Sequence, residues 1–385
     1  MLQSLRHGIR TLCSRRIYFF MLILVPMAGA VFFLSLMHEG LPHRIPTAVV
    51  DLDHSQMSRS VTRSLSATQL IDITERKESY ADAISSLKAG EIYGFFYIPQ
   101  DFEKDALGGN HPTLSFVTNM SIYVPGTLAY KGFKTQAVTT NGGLLTAVLQ
   151  QSGAEAALGL SSGSMMPLNV NANLMGNPWM NYSVYLSQSF LAGLIALLAM
   201  VMTVFSITEE IKWHTSPEWL ASSRGSMALA IFGKIFPQTV ILTVMGWGML
   251  AVMFCYLYFP FHCPAWHMLL AMFLLVASSQ AFAIVVAEIV PNVRLSLIVV
   301  SLVSILAFSV AGFSFPVEKM YGPIGIFAYI LPIRYYFLIY IDQALNGLPL
   351  YYSRVYYIVM LGMLLLPLAG LARLRKRCLD PVYVP

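Results

Sequence analysis

Residues 15–37, RRIYFFMLILVPMAGAVFFLSLM, decide what kind of chain this is. Two arginines lead an uncharged apolar run, and Ala28-Gly29-Ala30 imitates the small-residue site at which a secretory signal is cut. The apolar core of such a signal is only about 7–15 residues long. Here the run continues through VFFLSLM beyond that site, so the stretch reads as an uncleaved span. About 20 apolar residues in a helix are what a hydrocarbon core of about 30 Å requires.

Similar runs recur along the 385 residues, of which 56% are hydrophobic and only 11% charged, with a mean hydropathy of +0.64. Spans are expected at about 17–37, 183–206, 231–258, 266–290, 295–315 and 354–372. Arg6, Arg10, Arg15 and Arg16 precede the first span, and Arg373, Arg375, Lys376 and Arg377 follow the last. Lys212, Arg224 and Lys234 mark the second connection, Arg294 marks the fourth, and FPFHCPAW carries no lysine or arginine. The excess of Lys and Arg in cytoplasmic loops predicts cytoplasmic N- and C-termini and an even number of crossings.

The expected class is a polytopic α-helical membrane protein with six transmembrane helices and an inserted extracytoplasmic α/β domain. Residues 1–37 form the cytoplasmic N-terminus and first span, 38–180 the extracytoplasmic domain, and 181–385 a five-helix transmembrane domain. In the middle segment PTAVVDLD, QLIDIT, IYGFFYIP and TLSFVTN read as strands. SQMSRSVTRSLSA reads as a helix capped by Ser55, SYADAISSLKAG as a helix ended by Gly90, and about 122–158 as a long helix. The segment holds nine basic and twelve acidic residues, which predicts no nucleic-acid or anionic-lipid clamp. It lacks all four cysteines (Cys13, Cys255, Cys263 and Cys378), so it must fold by burial alone. Residues 316–353 are apolar but broken by four prolines, Pro316, Pro323, Pro332 and Pro349, and predict a re-entrant outer hairpin anchored by aromatics.

Catalytic motifs are missing. No G-x-x-x-x-G-K-[ST] loop exists, and Gly233-Lys234 is followed by Ile235, so the chain is expected to bind no ATP and to be no enzyme. His262, Cys263 and His267 read as an interfacial loop rather than a metal site. GLSSG at 159–163 matches the nucleophile elbow only formally, because it follows an alanine-rich helix rather than a strand. Within the spans the polar content is slight: Glu288 at one end of the fourth, and Ser278, Ser279 and Gln280 inside it. An ion-coupled carrier places ionisable groups near the midplane, which lowers that reading.

EEIKWHTSPEW, residues 209–219, stands apart. Residues 207–230 are too hydrophobic for a solvated linker and too charged for lipid. They predict a short amphipathic helix on the cytoplasmic surface, with Glu209, Glu210, Lys212, His214 and Glu218 polar and Trp213, Trp219, Leu220 and Met227 apolar. Ser189 with Gly193, and Ala192 with Ala196, give small faces suited either to internal packing or to a dimer.

IPTAVVDLDHSQMSRSVTRSL followed by AISSLKAGEIYGFFYIPQDFEKDALGG, and VAGFSFPVEKM followed by ILPIRYYFLIYIDQALNG, resemble ABC-2 type permeases. The likeness is to the subgroup with a large extracytoplasmic domain between the first two spans. In its E-x-x-x-G-T-x-E-x-L pattern this chain keeps Glu210 and Thr215, carries His214 at the glycine position, and inserts Pro217 before Glu218 and Leu220. The resemblance implies the membrane subunit of an ABC exporter, expected in the bacterial inner membrane, and an apolar pathway lacking charges fits lipophilic or amphipathic, drug- or lipid-like cargo. It implies a coupling helix of Glu209, Glu210, Lys212, Trp213, Thr215, Glu218 and Leu220, seated on a separate ATPase subunit that binds ATP and Mg. It further implies an outer gate of Gly312, Phe313, Phe315, Pro316, Glu318, Pro332, Tyr335 and Tyr336 and a second permease copy of the same or a sibling chain; membrane lipid is a further expected partner, and the outer domain offers a surface for a periplasmic adaptor that no sequence feature specifies. The other class of reading is a non-transporting membrane sensor or assembly protein whose outer domain binds a ligand or partner.

Overall fold

A computed structural model describes residues 2–37, 44–108, 112–119, 125–135, 181–313 and 315–381. The chain divides into two units, Met1–Gly40 with Asn173–Pro385, and Leu41–Ala172. GLSSG and the part of the expected long helix after 135 lie outside the described residues.

In the first unit a short helix α1 (Leu2–Ser14) precedes the apolar helix α2 (Arg16–Leu36). Five more helices among the described residues are long and apolar enough to cross a membrane. They are α7 (Ser183–Lys212), α9 (Met227–Tyr256), α10 (Ala265–Ile289), α11 (Val293–Val310) and α14 (Leu350–Ala369). The central pair is α7 and α10, whose most apolar windows are 72% and 67% buried, against 17% for α2 and 22% for α11. The outer helices thus turn apolar faces such as Val31, Phe32, Ile298 and Ile305 outward, which hydrocarbon permits and water does not. The small residues Ser189, Ala192, Gly193 and Ala196 of α7 are buried within the chain. A Cβ at Gly193 would overlap the Phe308 ring and stand 3.1 Å from Ile333, so this face serves internal packing.

Two departures from the sequence reading bear on function. The second span continues as helix to Lys212 rather than stopping near 206, so Glu209, Glu210 and Lys212 belong to its last turns and not to a loop. Residues 2–14, read from sequence only as part of a basic N-terminus before the first span, form a helix laid against the start of α9.

Both chain ends gather at one end of the bundle. Ser4 Oγ donates to Leu229 O at 2.9 Å, and Ser216 Oγ donates to Cys378 O at 2.9 Å. Residues 311–349 begin and finish at the other end, where His262 N donates to Ala344 O at 2.9 Å. Between them α12 (Gly322–Ala328) and α13 (Pro332–Leu345) are bent by 74°. Along α13, Tyr340 Oη donates to Val184 O at 2.8 Å, Tyr336 receives a hydrogen bond from Gln188, and Ile333 reaches Gly193. Ten residues separate Ser183 from Gly193, so at about 1.5 Å per residue the start of α13 packs about 15 Å along α7 from its first residue.

The second unit carries a four-stranded sheet in the order β2-β1-β3-β4. Its elements are β1 (Ile45–Asp51), α3 (Gln56–Ser66), β2 (Ile71–Lys77), α4 (Tyr80–Ala89), β3 (Gly94–Ile98), α5 (Phe102–Leu107) and β4 (Ser115–Thr118), with residues 125–135 helical. Strand β1 pairs in parallel with β2 and β3, and β4 closes antiparallel on β3. Because β1 to β2 and β2 to β3 step in opposite directions, crossovers of one hand put α3 and α4 on opposite faces. Accordingly Val49 and Phe96 pack with Val61 and Leu65 of α3, while Ala48, Val50 and Phe95 pack with Ala83 and Leu87 of α4. Ser55 and Ser79 accept the amides of Ser58 and Asp82 at 3.0 and 3.1 Å, capping the two helices.

Phe96 is fully buried, with Phe116 and Phe133 at ring-centroid distances of 4.9 and 5.7 Å. Phe96→Ala is expected to cost about 3–5 kcal/mol, and Ser79→Ala about 1 kcal/mol. Pulse proteolysis of the full chain in detergent, scoring cleavage within 44–135, measures both; equal losses would contradict the assigned core.

Candidate functional site

The conspicuous polar structure lies where α7 hands over to α9. Glu210, on the last turns of α7, receives hydrogen bonds from Lys234 Nζ of α9 and from Thr215 Oγ1. His7 of α1 stands 3.8 Å away. Glu210 and Lys234 are 8% and 2% exposed, so the pair is held in an interior where each charge depends on the other. The Lys234 ammonium also lies 4.9 Å over the Trp219 ring, whose Nε1 donates to Ala230 O at 3.3 Å. Next to Glu210, Glu209 pairs with Arg15 at the mouth of the first span.

Backbone geometry makes the turn. After α7, His214 N donates to Ile211 O at 3.3 Å and Thr215 N to Glu210 O at 3.0 Å. This double closure places His214 in the left-handed region, at φ +58°. That is why the related pattern calls for glycine here; histidine is among the side chains that tolerate the conformation. The six-residue helix α8 (Ser216–Ala221) follows, and a second left-handed pair, Arg224 and Gly225 (φ +55° and +77°), turns the chain into α9. Beneath it Trp219, Leu220, Met227 and Ile231 pack with Ile207, Ile211, Leu374 and Cys378. The Cys378 thiol, on the terminal helix α15 (Leu371–Leu379), is pushed up to about 12 by burial and by the Glu210 charge, which makes it packing rather than a nucleophile. Helix α1 clasps the same corner: a Cβ on Gly8 would strike the Gly233 carbonyl, and one on Gly233 would strike Ser4.

Of the residues expected to face a partner, Lys212, Trp213, Thr215 and Glu218 are exposed, Trp213 at 59%. Glu209 is partly covered by Arg15, and Glu210 and Leu220 are buried in the corner with Trp219 and Met227. Lys234 and His7, which complete the network, carry no local signal that separates them from an ordinary interfacial cation and a leader histidine.

At the other end, Gly312 (φ +99°) breaks the chain after α11, with Phe313 buried and Phe315 50% exposed. Arg334 closes this break: it donates to Ala311 O at 3.3 Å, lies 3.6 Å from Glu318 beyond Pro316, and stacks 4.8 Å from Tyr329. It is only 6% exposed, and the sequence reading passed over it. Pro332, Tyr335 and Tyr336 are buried, and Tyr335 Oη donates to Tyr329 O at 2.7 Å. His262 and His267 are taken up by Ala344 O and Tyr357 Oη at 3.2 and 3.3 Å, and burial pushes the Cys263 thiol up to about 11. Among the described residues no group of three His, Cys, Asp or Glu side chains converges on a metal position.

Lys234→Met and Glu210→Gln are each expected to destabilise the folded chain by about 3–5 kcal/mol, and the double variant to recover most of that loss. Thermal unfolding in detergent measures it; additive losses would contradict the pairing.

No curated protein matches the sequence. The family model described as "ABC-2 family transporter protein" matches residues 15–373. With that match over nearly the whole length and six apolar helices, the chain is an integral membrane component of a transporter and belongs to the ABC-2 family.

Proposed function

We propose that the chain is the permease subunit of an ATP-binding-cassette exporter and borrows its work from a separate ATPase subunit holding ATP and Mg. The observation that carries this reading is the elbow itself. A rigid, internally anchored corner joins the second and third spans and exposes Lys212, Trp213, Thr215 and Glu218. An exposed tryptophan beside charges of both signs, on a backbone fixed from below, fits a protein partner better than lipid or water. Movement of that partner would be delivered to α7 and α9 through Glu210–Lys234 rather than absorbed by a loose linker. The docking contribution of Glu209, Glu210 and Leu220 is then indirect, through the shape of the corner.

Arg6, Arg10, Arg15, Arg16, Lys212, Arg224, Arg294 and the basic stretch 373–377 share the elbow's end of the bundle, which supports its assignment to the cytoplasm. The first span ends and the second begins at the other end, so 38–180 belongs outside, where an adaptor protein can meet it. The cargo is lipophilic or amphipathic. A crevice of ≈ 430 Å³ between α9, α10 and α14 is lined by Ile235, Phe236, Phe273 and Leu368, with Thr239 and Gln280 as its polar groups. Thr239 Oγ1 donates to Gln280 Oε1 at 2.6 Å, and the Gln280 Nε2 donor has no partner among the described residues. Arg334 and the hairpin form the outer closure, and a second permease copy completes the pathway.

Trp213→Ala and Glu218→Lys are expected to leave thermal stability unchanged and to reduce the partner's permease-stimulated ATPase activity by tenfold or more, the equivalent of about 1.4 kcal/mol. Full stimulation in both variants would contradict the docking role and favour a non-transporting sensor.

A further inference from the structure

Behind the elbow, at the same end of the bundle, a cavity of ≈ 700 Å³ opens between Ile211 near the end of α7, the end of α10, the start of α11 and α15. Arg373, Lys376 and Arg377 line one side. Their spacing of three and four residues puts them on one face of α15. The carboxylate among the lining groups is Asp380, and none of these four side chains is in an ion pair among the described residues. Arg377 Nη1 donates weakly to the Ile289 carbonyl at 3.4 Å. Burial, and then the like charge of Arg373, lower the proton affinity of Arg377, so the cluster is short of negative charge.

The opposite wall is apolar. Ile289 and Leu295 are 58% and 54% exposed, and Ile298, Leu302 and Ile305 continue from Leu295 along one outward face of α11. From Leu295 to Ile305 is ten residues, about 15 Å at about 1.5 Å per residue, the depth of one leaflet. A solvated fringe of span-end cations needs no cavity, and a water-soluble protein partner needs no apolar strip running into the bilayer. A headgroup-sized basic cleft joined to a strip of acyl-chain length matches an anionic phospholipid at both ends.

We propose that this cleft is a binding site for one anionic phospholipid, its phosphate held by Arg373, Lys376 and Arg377 and one acyl chain laid along Leu295, Ile298 and Leu302. The bound lipid ties α15 to the α10–α11 turn, and because α15 carries Cys378 against Ser216, it also steadies the elbow from behind.

The test is native mass spectrometry of the delipidated full chain in mild detergent, titrated with phosphatidylglycerol, phosphatidylcholine or inorganic phosphate. Phosphatidylglycerol is expected to remain bound while phosphatidylcholine does not, and inorganic phosphate at equal concentration is expected not to displace it. R373Q/K376Q/R377Q should weaken phosphatidylglycerol binding on the order of a hundredfold. Two single variants guard against misfolding: Lys376→Gln, exposed, should weaken it severalfold at an unchanged melting temperature, and Asp380→Asn should tighten it. Equal retention of phosphatidylcholine, displacement by phosphate, or unchanged binding in Lys376→Gln and Asp380→Asn would each overturn the proposal. So would loss of ATPase-subunit binding in Lys376→Gln with lipid affinity intact, which would make the cleft a protein-docking surface.

Discussion

The buried pairing of Glu210 with Lys234 is the constraint on which the working end of this protein depends. A carboxylate and an ammonium removed from water are tolerable only together, so the last turn of α7 and the second turn of α9 are fixed at hydrogen-bonding distance. Thr215 then donates to the other carboxylate oxygen, and the Trp219 ring covers the ammonium. The left-handed closures at His214 and Arg224–Gly225 follow from the need to reverse the chain within that fixed gap. The exposed rim of Lys212, Trp213 and Glu218 is what is left over: residues that the anchor orients but does not use.

The far end solves a different problem with a similar device. Backbone that leaves helical geometry among apolar surroundings must satisfy its polar groups inside protein. Gly312 breaks the helical path just after α11, Pro332 opens α13, and Arg334 donates to the Ala311 carbonyl at that break. The hairpin packs along the first turns of α7 through Tyr336–Gln188 and Tyr340–Val184, while the elbow grips the last turns of the same helix. Since α7 is also the most enclosed of the six long apolar helices, a displacement of the corner has one stiff element through which to reach the hairpin.

The spans could be read from the sequence because an uncharged apolar block of about 20 residues has few other uses. The alternation through residues 45–98 was legible for an equally local reason: apolar runs such as AVV and GFFYI sit between serine-headed segments of helical composition. What was not legible depends on contacts distant in the chain. The apolar run of α7 fades near 206, yet the helix persists to Lys212 because Lys234, 24 positions after Glu210, pairs with it there. Helix α1 hid behind its arginines, although Ser4 and Gly8, four residues apart, were the small face that lets it lie against Gly233. Arg334 stood inside a quoted motif without a role, because its partners at 311 and 318 lie across a chain break that only the fold brings together. The acids of the elbow looked alike in sequence; burial separates Glu210, an internal anchor, from the exposed Glu218.

The central claim is that the corner between α7 and α9 is the face on which an ATPase subunit delivers force. The most direct measurement is disulfide cross-linking of Trp213→Cys, in a chain cleared of its four native cysteines, to cysteines placed on the co-expressed ATPase subunit in sealed membranes. The account predicts a cross-link whose yield changes between the ATP-bound and nucleotide-free states. Reaction of the introduced thiol instead with an impermeant reagent applied from outside the cell would contradict it.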